Sequence, residues 1–205
     1  MSLPQFEAHI HSVKPQFRCY KSGDKSKALT FSARVTNRIG KLAESKALSK
    51  LDQLVKTKGT EIRKFYELHD GAVLYQDPLS DAAGIEFFVI RSWAKQTREV
   101  RKSLDAMGFP LEEMPEWFSS GIVFGEIPNS ANGFLLATNQ TDEGKIFYID
   151  HDDFRDQPLA NTFNEFLGLV VSDPAELLLR VGCYTRYSDG KTNAQWIPAE
   201  FVVEA

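Results

Sequence analysis

An α+β fold is the reading that the ordering of apolar residues in this sequence supports. Helical spacing runs through residues 39–69, and short β-forming runs separated by turn residues fill much of 84–150. Helical spacing then returns beyond residue 160. Helices, then mostly antiparallel strands, then helices predict a twisted, mostly antiparallel sheet with helices packed around it.

The elements follow in order. The first segment, "AHIHSVKPQFRCYKSGDKSKALTFSARV", sustains neither period, and "KSGDKSK" within it reads as a solvated loop. Ile39, Leu42, Ala43, Ala47, Leu48, Leu51, Leu54 and Val55 mark one face of a predicted helix. The lysines of "SKALSKLDQLVKTKG" then fall on its solvated side. Ile62, Phe65, Tyr66 and His69 predict a second helix, closed by Asp70-Gly71. "GIEFFVI" (84–90) reads as a buried strand, and Trp93, Thr97, Val100, Leu104 and Met107 stripe a helix that stops at Gly108. "GIVFGEI" is a strand. "GFLLATN" and "KIFYID" flank a hairpin turn, "QTDEG", in which Gly144 supplies a positive φ. Thr162-Phe-Asn-Glu165 predicts a capping box ahead of the apolar face Phe163, Phe166, Leu167, Val170 and Val171. Asp173-Pro174 restarts a helix that ends at Gly182, and Asp189-Gly190 is the tip of a last hairpin.

The chain has 205 residues, fifteen Phe and six Tyr, enough to fill the core of one large domain. A net charge of −4 argues against nucleic acid, whose phosphates require a basic face. Cys19 and Cys183 stand far apart outside any CxxC pattern, which supplies neither a disulfide framework nor a four-cysteine zinc site. No apolar run approaches the roughly 18 residues of a membrane span. The start, "MSLPQFEAHIHSVK", lacks a secretory h-region, so a cytoplasmic protein with reduced thiols is expected.

Chemistry-bearing motifs are few. There is no G-x-S-x-G elbow, no Walker loop and no G-x-G-x-x-G. "GKIFYIDHDDF" gathers Asp150, His151, Asp152 and Asp153, yet on a continuing strand Asp150 and Asp152 face one way and His151 and Asp153 the other. Diverging ligands do not make a metal site, and the stretch reads as a solvated strand end. His9 and His11, placed on one face of a strand, lack a third ligand and read as a surface pair. Glu126, Asp150 and Asp70 are candidates for paired carboxylates, but no spacing selects a pair. Trp93 fits a core stripe. Trp117 and Phe118, beside "EEMPE", either fold back over the sheet edge or present an exposed aromatic pair of the kind interfaces use.

Taken in order, "TEIRKFYELHDGAVL", "GIEFFVI", "GIVFGEIPNSANGFLLATNQTDEGKIFYIDHDDF" and "LANTFNEFLGLVV" resemble the SUKH superfamily. That superfamily includes fungal Smi/Knr regulators of cell-wall glucan synthesis and many bacterial immunity proteins. Asp70-Gly71 stands where the family's helix ends, with Asp in place of the commoner Asn. Phe124-Gly125-Glu126, Asn132-Gly133-Phe134, Ile149-Asp150-His151-Asp152 and Thr162-Phe163-Asn164-Glu165-Phe166-Leu167 match its later elements. Lys58-Gly59-Thr60 replaces the Leu-Pro that often precedes the second helix. The resemblance spans about residues 38–182, leaving an N-terminal segment, 1–37, and a C-terminal hairpin extension, 183–205, packed on the same domain.

The resemblance implies a non-enzymatic protein-binding domain without cofactor or metal, cytoplasmic, with no nucleic-acid or membrane partner. The implied partner is a protein such as a secreted polymorphic toxin. The expected partner-binding residues are Trp117, Phe118 and an acidic patch of Asp150, Asp152, Asp153 and Asp156, which would meet a basic surface. Two other readings stand beside it: an intracellular scaffold linked to glucan synthesis, and a small carboxylate- or metal-dependent hydrolase.

Overall fold

The computed structural model describes residues 2–12, 16–20, 28–32, 36–55, 60–76, 84–128, 132–150, 156–172, 177 and 203–204. Among them the helices are α1 (Leu3–Ser12), α2 (Ser45–Leu54), α3 (Thr60–Leu68), α4 (Trp93–Ala106), α5 (Glu116–Ser120) and α6 (Phe163–Ser172). The strands are β1 (Gln16–Tyr20), β2 (Ala28–Ser32), β3 (Thr36–Ile39), β4 (Ala72–Gln76), β5 (Ile85–Phe87), β6 (Ile122–Ile127), β7 (Asn132–Leu136), β8 (Ile146–Ile149) and β9 (Val203–Glu204). The fold is α+β. Strands β3 to β8 form a six-stranded sheet in sequence order, every pairing antiparallel, so it is a meander with helices inserted in two connections. A separate three-stranded sheet has the order β1-β2-β9. It joins the N-terminal segment to the end of the chain.

Phenylalanine builds the core. Phe65 of α3, Phe87 of β5, Phe124 of β6 and Phe163 and Phe166 of α6 are each at most 3% exposed. Their rings meet edge-on or tilted at centroid distances such as 5.5 Å for Phe65–Phe163 and 5.7 Å for Phe124–Phe166. Such offset geometries suit the ring quadrupole. The core extends beyond the 38–182 span, because α1 places Phe6 (0% exposed) edge-on against Phe65 at 5.9 Å. Glu7 also lies 2.6 Å from His69 Nε2.

Close packing of rings requires a gap in the strand between them. Gly125 is paired with Phe87 on one side and Phe134 on the other. A Cβ at Gly125 would stand 2.5 Å from the Glu86 carbonyl oxygen and 3.3–3.4 Å from both rings. A register shift between Val123 and Gly125 lies beside this pair. On the β5 side of the shift, β5 has already ended, and α4 takes its place: the Thr97 hydroxyl accepts the Val123 N–H at 3.0 Å. A second shift, between β3 and β4, coincides with Tyr75 at φ +56. That left-handed backbone is held from both ends. The Tyr75 N–H donates to Asn37 Oδ1 (2.8 Å), and its hydroxyl donates to the Val170 carbonyl of the last turn of α6 (2.6 Å). The orphan carbonyl of a helix end thereby gains a donor.

Several local expectations hold. Gly71 and Gly144 take φ +91 and +84. Thr162 caps α6, its hydroxyl accepting the Glu165 N–H at 3.1 Å. Half of the capping box is displaced, because the Glu165 carboxylate reaches the N–H of Asn161 (2.9 Å) instead of that of the cap residue. Other expectations are corrected. Ile39 belongs to a strand and Leu42 is 70% exposed, because residues 39–41 pair with the backbone around Asp70 before α2 begins at Ser45. The strand expected over 84–90 stops at Phe87, and Ile90–Ser92 already forms a 3₁₀ turn. Met107 lies past the helical stripe and is 51% exposed. His9 and His11 sit on helix α1, where two residues subtend about 200° around the axis, so they diverge. The helix expected from Asp173-Pro174 and the hairpin at Asp189-Gly190 lie outside the described residues.

Gly125→Ala forces the β5–β6 backbones apart. It is expected to lower the free energy of unfolding by about 2 kcal/mol, measured by urea denaturation with an unchanged m-value.

Candidate functional site

Strand alternation decides what lies opposite the aromatic core. With Phe87 and Gly125 turned toward it, their neighbours Glu86 and Glu126 must face the other way. These two glutamates are directly opposed across β5 and β6. The row continues through Val73 to Arg38 on one side and through Gly133, which places no side chain beside Glu126, to Ile149 on the other. Together with Asp70, Ser92 and Gln96, the part of the row from Arg38 to Glu126 lines an open cleft of about 460 Å³.

The electrostatics follow from that geometry. Burial pushes the Glu86 carboxyl above its ordinary range, partly offset by the positive charge of Arg38. Burial also raises Glu126, and the neighbouring Glu86 raises it further. Among the described residues, neither carboxylate has a hydrogen-bond or ion-pair partner. Like charges directly opposite on antiparallel strands repel, so the pair favours a shared proton or an incoming cation. Asp70 contributes differently. Its Oδ1 accepts the Ile90 N–H at 2.8 Å, which fixes the start of the turn into α4. No trio of His, Cys, Asp or Glu among the described residues converges as a metal-binding group.

The residues expected to bind a partner differ in burial. Trp117 and Phe118 are 5% and 1% exposed and belong to the core, so neither is presented as a surface anchor. Trp117 stacks on Phe147 of β8 at 4.2 Å with 6° between the planes, although its indole N–H finds no acceptor among the described residues. One cation folds this connection back on the sheet. Arg101 of α4 reaches the end of α5 and donates through Nη2 to the carbonyls of Phe118 (3.2 Å), Ser119 (2.7 Å) and Gly121 (2.8 Å). A guanidinium at a helix C-terminus satisfies its orphan carbonyls and complements its dipole. Asp150 is half-buried at the end of β8, Asp156 is exposed, and Asp152 and Asp153 lie outside the described residues.

Sequence reasoning weighed Glu126 but missed Glu86, its actual neighbour. The available signal was a single glutamate embedded in each of two apolar strands, "GIEFF" and "VFGEI". Neither strand alone reveals the register that opposes them. No protein-family model matches the chain, and no curated protein matches it.

The raised carboxyls make a pH prediction. A carboxyl whose folded pKa exceeds its unfolded one, about 4.3 for Glu, holds its proton more tightly in the folded state. Its contribution is fully present below the unfolded value and is lost as pH rises through the folded one. Glu126→Gln removes the repulsion and is expected to add about 0.5 kcal/mol at neutral pH. It should also flatten the decline in stability above pH about 4.3, measured by urea titrations across the range.

Proposed function

We propose that this chain is a non-enzymatic protein-binding module, an immunity or regulatory protein of the SUKH type acting in the cytoplasm. In this reading it engages a basic protein partner, such as a secreted toxin, through the cleft of Arg38, Glu86 and Glu126. The observation that carries the reading is the opposed Glu86–Glu126 pair, half-buried in an open cleft where the positive charge of Arg38 offsets only part of the effect of burial on Glu86. An arginine or lysine from a partner would relieve their repulsion, and the guanidinium fork matches two carboxylates in one plane. The resemblance of residues 38–182 to that superfamily, carried by the sequence motifs, supports the same reading.

No helix of the described residues is long and apolar enough to cross a membrane. A scaffold linked to glucan synthesis would use the same surface with another partner. A carboxylate hydrolase would also need two acidic groups in a cleft, and that shared feature keeps it as the second reading.

The test pairs the purified chain with the product of the adjoining open reading frame. Charge reversal at Glu86→Lys and Glu126→Lys is expected to weaken binding by at least about tenfold, because an unpaired partner cation would be left at the interface. Affinity that is unchanged in a correctly folded double variant overturns the assignment. Thermal shifts with divalent cations add a second arm: a rise in melting temperature at micromolar metal that Glu126→Gln abolishes would favour the hydrolase.

A further inference from the structure

Within the cross-strand row of the cleft, each glutamate has a neighbour with no polar group on its far side. Val73 stands beside Glu86, and Gly133 beside Glu126. The polar neighbour that each carboxyl has in the row is therefore the other carboxyl. Directly opposed residues on antiparallel strands carry Cβ atoms about 4.5–5.5 Å apart, so two glutamate side chains can meet. The backbone holds them at that separation. One pair beyond Phe87 and Gly125, the Phe88 N–H donates to the Phe124 carbonyl at 2.8 Å. On the other side of β5, the Gly84 N–H donates to the Leu74 carbonyl at 3.1 Å.

The other groups around the pair come from four places. Among the described residues, the ionisable groups lining the cleft are Arg38 of β3, Asp70 of the turn between α3 and β4, and the two glutamates. Strand β4 adds Val73, and the start of α4 adds Ser92 and Gln96, none of which titrates. Asp70 is occupied by the Ile90 N–H. Arg38 lies two strands from Glu86, about 9–10 Å across the sheet, with Val73 between them. From there its charge draws the Glu86 carboxyl down only part of the way that burial has pushed it up. Three carboxyl groups thus face one cation, in a cleft that is open to solvent.

We infer that the cleft is a proton-linked cation site: at mildly acid pH Glu86 and Glu126 share one proton while the cleft is empty, and they release it to water when a partner's guanidinium group is seated. The inference rests on the reading of the cleft as the seat of a basic partner, and it adds how occupancy is regulated. A shared proton removes one negative charge and gives an O–H donor to the remaining carboxylate. A guanidinium supplies the same two things, a positive charge and N–H donors aimed at both carboxylates. Proton and guanidinium are therefore alternatives at the same oxygens. Linkage fixes the sign: a cation that makes the proton leave more easily must itself bind more tightly as the proton leaves. Affinity is lowest where both the empty and the occupied cleft keep the proton. It rises as pH climbs through the titration of the empty cleft and levels off above it. Arg38 sets where that rise falls, because its charge favours the ionised Glu86.

Carbon-13 NMR of the glutamate carboxyl carbons, followed through a pH titration of the full chain, tests this. The probe is n-propylguanidinium, the arginine side chain in isolation, with sodium chloride at equal ionic strength as the control. Glu86 and Glu126 are expected to titrate together, above the ordinary glutamate value of about 4.3. Glu86→Gln should lower the midpoint of Glu126, and Arg38→Gln should raise that of Glu86. The probe should lower both midpoints. Its affinity should rise about threefold or more between pH about 5 and pH about 7, where two ordinary glutamates would give little change. The unmodified chain reads the pair even if a variant fails to fold. Independent titrations near the ordinary value, or midpoints that the probe leaves unmoved, overturn the inference, while the protein-binding reading still stands on its charge-reversal test. Coupled titrations that the probe shifts uphold it, even where the product of the adjoining open reading frame does not bind and that partner alone is lost.

Discussion

The structure depends on one packing constraint: two phenyl rings, Phe87 and Phe134, flank a strand position that has no side chain. Gly125 supplies that position, and the 2.5 Å approach of the Glu86 carbonyl to where its Cβ would stand shows how little room remains. Rings of α3 and α6 close over the same place, through Phe65, Phe163 and Phe166. Because interiors are packed at crystal-like density, such a cluster tolerates one register of β5 on β6. A one-residue slip would turn Phe87 outward and bury Glu86.

The cleft follows from that register. The residues next to Phe87 and Gly125 must lie on the other face, and both happen to be glutamates. Their mutual repulsion and burial are costs the fold carries, offset by the aromatic packing that fixes them there. Asp70 sits in the same cleft but is committed to the backbone of Ile90, which separates a structural carboxylate from two uncommitted ones. The connection holding Trp117 obeys a different constraint. Its aromatic pair is buried because Arg101 ties the α5 carbonyls to α4, and the exposed apolar surface moves upstream to Met107, Phe109 and Leu111.

Helical and strand spacing located most elements, since burial of one face imposes the period directly. The misplacements share a cause. Ile39 and Leu42 fit a helical stripe on paper, yet the Gly40 N–H pairs with the Gly71 carbonyl at 2.8 Å, a contact between residues 31 positions apart. The N-terminal segment showed no period because α1 buries only part of its surface, through Phe6 and Ile10. Trp117 and Phe118 left two alternatives open from local composition, and a distant arginine decided between them.

What the sequence determined by itself was the α+β class, the hairpin of β7 and β8, the capped start of α6 and the glycine turns. All of these depend on neighbours a few positions apart. Tertiary structure alone decided that Glu86 opposes Glu126, that Tyr75 can hold a left-handed backbone, and that Arg101 buries an aromatic pair. Each of those unites groups about 17 to 95 residues apart, and their proximity is created by strand register and core packing.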